Sequence, residues 1–141
     1  MEPRDLALSH ARSRMAVGAA LVALPGRAAS MWIGSDASRP AVKVLARALG
    51  VRDFALGLGI AVALDRGGPV RGWLEGAALS DVVDLFATLV AGDSIPRRSR
   101  LAVCAVAASS AVACAMLARA LDDPPAEHEL SVPEAHLTGH T

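Results

Sequence analysis

The chain has 141 residues, 53% of them apolar, 20% charged and only 3% aromatic, and its 14 basic side chains are matched by 14 acidic ones. That is one domain's worth of chain, and it is too apolar for a disordered protein. Zero net charge removes the basic footprint of a nucleic-acid binder, so nucleic acid is not an expected partner.

The N-terminal segment admits more than one reading. Arg4, Arg12 and Arg14 precede an uninterrupted apolar stretch from Met15 to Leu24; Pro25-Gly26-Arg27 follows, then a second apolar piece from Ala28 to Gly34. One reading is a helix from about Leu6 to Leu24 whose arginines snorkel. Another is a bent crossing from about Ser13 to Ile33, kinked at Pro25. The third is a signal peptide, disfavoured because Glu2 and Asp5 dilute the basic start and the later helices need a first partner. His10 has no partner that the sequence identifies.

Ser38-Arg39-Pro40 reads as a helix start, and the second predicted helix runs from Ala41 to Leu64 before Asp65-Arg66-Gly67-Gly68-Pro69 breaks it. The third begins near Val70 and ends near Ala91, before Gly92-Asp93-Ser94-Ile95-Pro96. Both have spanning length, and their short connection predicts an antiparallel hairpin. In the second helix Ala46, Gly50, Gly57 and Ala61 share a face with Asp53, a small-residue groove suited to a neighbouring helix. In the third, Ala77, Ser80, Asp81, Asp84, Thr88 and Ala91 form one stripe, while Leu79, Val82, Val83, Phe86, Leu89 and Val90 form the opposite one. The polar stripe should face the bundle and the bulky stripe the lipid. Glu75 falls nearer the helix end, at headgroup depth. Gly57-Leu58-Gly59 lacks both the third glycine and the preceding strand of a dinucleotide loop.

The fourth predicted helix is the clearest. Leu101 to Ala118 is a run of 18 uncharged residues between Arg97, Arg98 and Arg100 on one side and Arg119 on the other. Ser109 and Ser110 are expected to bond back to the preceding turn. Cys104 and Cys114, ten residues apart on one helix, are roughly 15 Å from each other, too far to bridge, and read as packing residues. Trp32 and Trp73 stand where an aromatic belt would want them. Arginine and lysine fall six on one side of such a bundle and seven on the other, so charge does not set its orientation. Residues 122–141, proline-rich and polar, read as a disordered tail. Its histidines, His128, His136 and His140, match no metal-ligand spacing, so neither a metal nor a cofactor is expected.

Register then singles out four charges. If the second and third helices form a hairpin, residues at equal depth have numbers summing to about 134, which sets Asp53 level with Asp81 and Arg52 between Asp81 and Asp84. Each unpaired charge near a bilayer centre costs about 2.5 to 3.5 kcal/mol, so Arg52 is expected to pair with Asp81, Asp84 or both, with Asp53 facing the same interior. Arg52, Asp53, Asp81 and Asp84 are therefore the candidate ligand site or structural polar cluster. No catalytic residue is assigned, because no nucleophile is accompanied by its base.

The stretch Leu45-Ala46-Arg47-Ala48-Leu49-Gly50-Val51-Arg52-Asp53-Phe54-Ala55-Leu56-Gly57-Leu58-Gly59, with the later Asp81 and Asp84, resembles the small four-helix hydrophobic proteins of unknown function common in actinobacteria. The likeness covers about Met15 to Leu121, with Gly-Val-Arg-Asp its distinctive core. It implies a membrane protein and brings no reaction with it.

The expected fold is thus all-α, a four-helix transmembrane bundle over residues 1–121 with a short or bent first helix, followed by the tail. The expected role is a non-catalytic accessory or oligomeric component of the cell membrane. Its partners would be the lipid bilayer and a second copy or another membrane protein, the alanine-rich fourth helix mediating association. One alternative is a membrane-embedded enzyme or proton pathway in which buried carboxylates act on a lipophilic small molecule. The other is a compact soluble helical domain.

Overall fold

Proline opens three helices of the computed structural model, which describes residues 1–121. At the first helical position its missing N–H is lost to no partner, and its fixed φ suits the turn. Pro3 starts α1 (Pro3–Ala23), Pro25 starts α2 (Pro25–Ile33) and Pro40 starts α3 (Pro40–Asp65). A 3-10 turn, Gly34–Ser38, joins α2 to α3; α4 (Arg71–Ala91), a second 3-10 turn (Gly92–Ser94) and α5 (Arg97–Ala120) complete the order. Among the described residues the fold is all-α, with five α-helices and no strand.

The hairpin between α3 and α4 is set by how α3 stops. Gly67 takes φ +63°, a left-handed conformation that costs glycine little. This lets the Gly68 N–H reach the Ala63 carbonyl at 2.8 Å and the Gly67 N–H reach that of Leu64 at 3.4 Å, the paired bonds of a Schellman ending.

α1 and α3 run antiparallel with their backbones in contact. A Cβ placed on Gly18 would lie 2.5 Å from the Gly50 carbonyl oxygen, one on Gly50 would lie 2.7 Å from that of Gly18, and one on Gly57 would lie 2.6 Å from that of Ala11. α4 and α5 form the second closely packed pair. The buried positions repeat at alternating steps of three and four: Ala7, Ala11, Arg14, Gly18 and Leu21 on α1; Leu74, Ala77, Asp81 and Thr88 on α4, with the half-buried Asp84 at the step between the last two; Ala107, Ala111, Cys114 and Ala118 on α5. That spacing marks a narrow seam of the kind that packs long helices side by side. On α3 the buried Ala46, Gly50, Gly57, Ile60 and Leu64 keep the same rhythm, with Asp53 at the step between Gly50 and Gly57. The small-residue face expected for this helix is therefore its packing face, and the two stripes expected on α4 are its inner and outer sides.

The core comes in two pieces. Ala7, Ala11, Ile60, Leu64, Leu74, Cys114 and Leu117 belong to one apolar cluster, while Leu21, Ala29, Ala37 and Ala46 make a smaller one at the other end. Arg14 and Asp53 lie between them along α1 and α3.

Two expectations are met only in part. α1 matches the reading of a helix that ends near Leu24, but its Arg14 is buried and turns inward instead of snorkelling, and the continuation beyond Pro25 turns away by 111°. Among the described helices only α5 is by itself long and apolar enough to cross a membrane; α1 with α2 meets that test only if the bent pair is one span. α3 carries Lys43, Arg47, Arg52, Asp53 and Asp65, and α4 carries Arg71, Glu75, Asp81 and Asp84. Those charges lower the apolarity of both helices, and four of them face inward. Residues 122–141, including His128, His136 and His140, lie outside the described residues.

Candidate functional site

The seam that brings small residues together also brings charges together, because Arg14 and Asp81 occupy the same alternating positions as the buried alanines of their helices. Arg14 makes a two-pronged contact with Asp81, Nη1 donating to Oδ2 at 2.7 Å and Nη2 to Oδ1 at 2.9 Å; Nη2 also donates to Asp53 Oδ1 at 3.1 Å. Paired N–H donors in a rigid fork are the strong form of the carboxylate contact. The Arg14 side chain is only 7% exposed and that of Asp81 only 10%, so this is a buried pair.

Arg52 makes the second fork, to Asp84, with Nη1 donating to Oδ1 at 3.0 Å and Nη2 to Oδ2 at 2.6 Å. Its Nη2 also donates to Asp53 Oδ1 at 3.0 Å. Asp53 thus bridges two arginines through one oxygen, and the layer reads Asp81, Arg14, Asp53, Arg52, Asp84 in unbroken contact. Arg52 is the more exposed of the two arginines, at 31%.

Of the residues singled out from the sequence, Arg52, Asp53 and Asp84 meet as the hairpin register anticipates. Asp81 belongs to the same layer but is held by Arg14, not by Arg52. Arg14 was missed because it precedes an apolar stretch and reads as a flanking charge. Its signal was available: Ala7, Ala11, Gly18 and Leu21 place position 14 on the small-residue face of the same helix.

α5 adds side chains that no local pattern announced. Ser109 bonds back to the Val106 carbonyl as expected, but Ser110 reaches across the bundle and donates to Asp81 Oδ2 at 2.6 Å. His10 of α1 gains two neighbours there, Ser110 Oγ at 3.3 Å and Cys114 Sγ at 3.1 Å from its Nε2. Cys114 is fully buried, as its packing role requires, yet it also borders the polar layer; Cys104 is half-buried. On α4, Thr88 donates to the Asp84 carbonyl at 2.7 Å and so returns its hydroxyl to its own helix.

Away from the layer, Glu75 is more than half exposed and pairs with Arg71, consistent with its expected place near a helix end. The Trp73 ring lies against Gly59, where a Cβ would collide with it.

Two arginines and three aspartates leave the layer with one negative charge in excess when all are ionised. The Arg14 Nε–H is buried with no partner among the described residues. The arrangement can therefore hold helices in register, and it retains one unused donor and one unbalanced charge. Comparison with family models, curated proteins and solved structures finds no match for this chain.

Proposed function

We propose that the chain is an integral membrane protein, a non-catalytic accessory or oligomeric component of the cell membrane, in which α1, α3, α4 and α5 span the bilayer. In this reading the Arg and Asp layer clasps the helices in register. The observation that carries it is an inverted polarity. The charges within Ala48–Leu64, Gly76–Ala91 and Leu101–Ala118 are Arg52, Asp53, Asp81 and Asp84, and all of them pair within the inner layer. Outward, the same stretches present Leu79, Val83, Leu89, Val106 and Met116, with Phe86 65% exposed and Val90 83% exposed.

Sixteen to eighteen helical residues extend about 24 to 27 Å, close to a hydrocarbon core of about 30 Å. Water would leave those side chains as an apolar surface that soluble monomers rarely tolerate. Lipid reverses the preference, since paired charges turned inward escape most of the cost of burial in hydrocarbon. A second copy or another membrane protein would dock on α5, whose outward face carries the small Ala102, Ala105 and Ala115. The resemblance to small four-helix hydrophobic proteins adds the same expectation.

The test combines fractionation with topology. The chain should stay with membranes through a carbonate wash, and reporters fused after Arg98 and after Leu121 should fall on opposite sides. Release by carbonate would overturn membrane integration, and two reporters on one side would overturn the crossing by α5.

A second reading, an enzyme or proton pathway acting on a lipophilic molecule, is favoured by the unpaired Arg14 Nε–H and the excess negative charge. A ligand carbonyl could accept from that donor while a carboxylate exchanges a proton. An Asp84→Asn variant that stays folded in the membrane but loses a cellular phenotype supported by the wild type would favour this reading over the clasp.

A further inference from the structure

His10, Asp81 and Cys114 come from three different helices, α1, α4 and α5, and their ligating atoms all lie within 4.8 Å of one another. Asp81 and Cys114 are buried and His10 is half-buried. An imidazole nitrogen, a thiol sulfur and a carboxylate oxygen are the donor set of zinc-type ions. Around such an ion, bond lengths of roughly 2.0 to 2.3 Å put tetrahedral donors about 3.3 to 3.6 Å apart. The His10 Nε2 to Cys114 Sγ separation is 3.1 Å, so side-chain adjustments of ångström size would suffice. Ser110 Oγ stands 2.6 Å from Asp81 Oδ2 and 3.3 Å from His10 Nε2, a fourth donor atom at the same place.

Charge supplies an argument independent of that geometry. The layer attached to Asp81 carries two arginines and three aspartates, a net charge of −1 when ionised. A divalent ion that displaces the Cys114 proton adds two positive charges and one negative, which brings the ensemble to zero. Arg14 lies beside the site, but its charge is already matched by Asp81 and Asp53. Neutrality counts for most where dielectric is low, because an uncompensated buried charge is costly to keep.

We propose that His10, Asp81 and Cys114 form a binding site for a divalent transition-metal ion of the zinc type, with Ser110 as its neighbouring oxygen. Binding forms metal–nitrogen, metal–oxygen and metal–sulfur bonds, breaks the S–H bond of Cys114 and releases one proton to solvent; no oxidation state changes. The site belongs to the bundle interior and does not depend on whether lipid or water surrounds it. Its failure is therefore distinct from a failure of the membrane reading.

The test titrates cobalt(II), and then zinc(II) as competitor, into the purified full chain, in mild detergent if needed to keep it dispersed. The expected result is one thiolate-to-cobalt absorption band per chain, bleached by zinc, with release of one proton per ion bound. The tail histidines can bind cobalt but cannot produce a thiolate band. Cys104→Ser should keep the band and Cys114→Ser should abolish it. His10→Ala should weaken affinity by at least the roughly 10- to 100-fold that loss of an outer-sphere partner costs. Absence of the band in wild-type protein whose helical circular dichroism is intact would overturn the site, whatever the variants do. So would a band that follows Cys104.

Discussion

The contact between α1 and α3 and the layer that ties both helices to α4 use opposite means on the same two helices. Gly18, Gly50 and Gly57 let two backbones meet with no side chain between them. A few residues away, Arg14 spans the gap to Asp81 with a long side chain and a fork of hydrogen bonds. The glycine contact sets distance and tolerates no added volume. The polar layer sets rotation and register, and it tolerates no missing partner, because a buried charge left alone is more costly than a buried pair. A bundle built from small residues could slide along or rotate about its seam; a fork that meets its carboxylate at one position stops both.

The sharpest way to break this division is Arg14→Ala. It leaves Asp81 and Asp53 buried with no cation but Arg52, and should destabilise the fold by about 3 to 5 kcal/mol, the usual cost of stranding a buried ionic partner. Thermal unfolding followed by circular dichroism measures it. Adding Asp81→Asn should recover part of the loss, with a coupling of about 0.5 to 3 kcal/mol. No recovery would mean that Arg14 acts through packing alone.

The distance-setting contact is tested by one methyl group. Gly50→Ala puts a Cβ 2.7 Å from the Gly18 carbonyl, a backbone atom that cannot swing aside, and should cost about 1 to 3 kcal/mol by overpacking. Gly72→Ala is its control, since nothing lies within 4 Å of a Cβ there; it should be neutral or stabilise by up to about 1 kcal/mol through helix propensity. Equal effects at the two sites would show that close approach is not what glycine supplies at position 50.

Arg52→Ala sharpens the comparison within the layer itself. Arg52 is about four times as exposed as Arg14, so solvent can replace more of what it gives, and the expected loss is about 1 to 2 kcal/mol. Asp84→Asn should relieve that loss more than Asp81→Asn does, because the Arg52 fork belongs to Asp84. The reverse order would contradict the assignment of the two forks. The smallest effect belongs to Glu75→Ala: its pair with Arg71 is more than half exposed on both sides, and stability should change by less than about 1 kcal/mol.

These outcomes also separate what could be read along the chain from what could not. The inner and outer stripes of α4 and the small-residue face of α3 were legible because helical periodicity is a local property. The Arg52 and Asp84 pair was legible for a related reason: a five-residue connection closes α3 against α4, so register follows from counting outward from the turn. Arg14 illustrates the limit. Its partner Asp81 is 67 residues away on a helix that α1 does not adjoin in sequence, and its place in the apolar pattern looked like that of a flanking charge.

The sequence by itself determined where α3, α4 and α5 lie and which side of α3 and α4 turns inward, since spacing, proline starts and glycine stops act within a few residues. Only the tertiary structure decided that Arg14 completes the polar layer and that His10, Ser110 and Cys114 gather beside it. Those meetings depend on how far α1 is rotated against α3 and on the depth at which α5 packs against α4. Backbone contact at Gly18 and Gly50 fixes the first, helix packing fixes the second, and neither leaves a trace in local spacing.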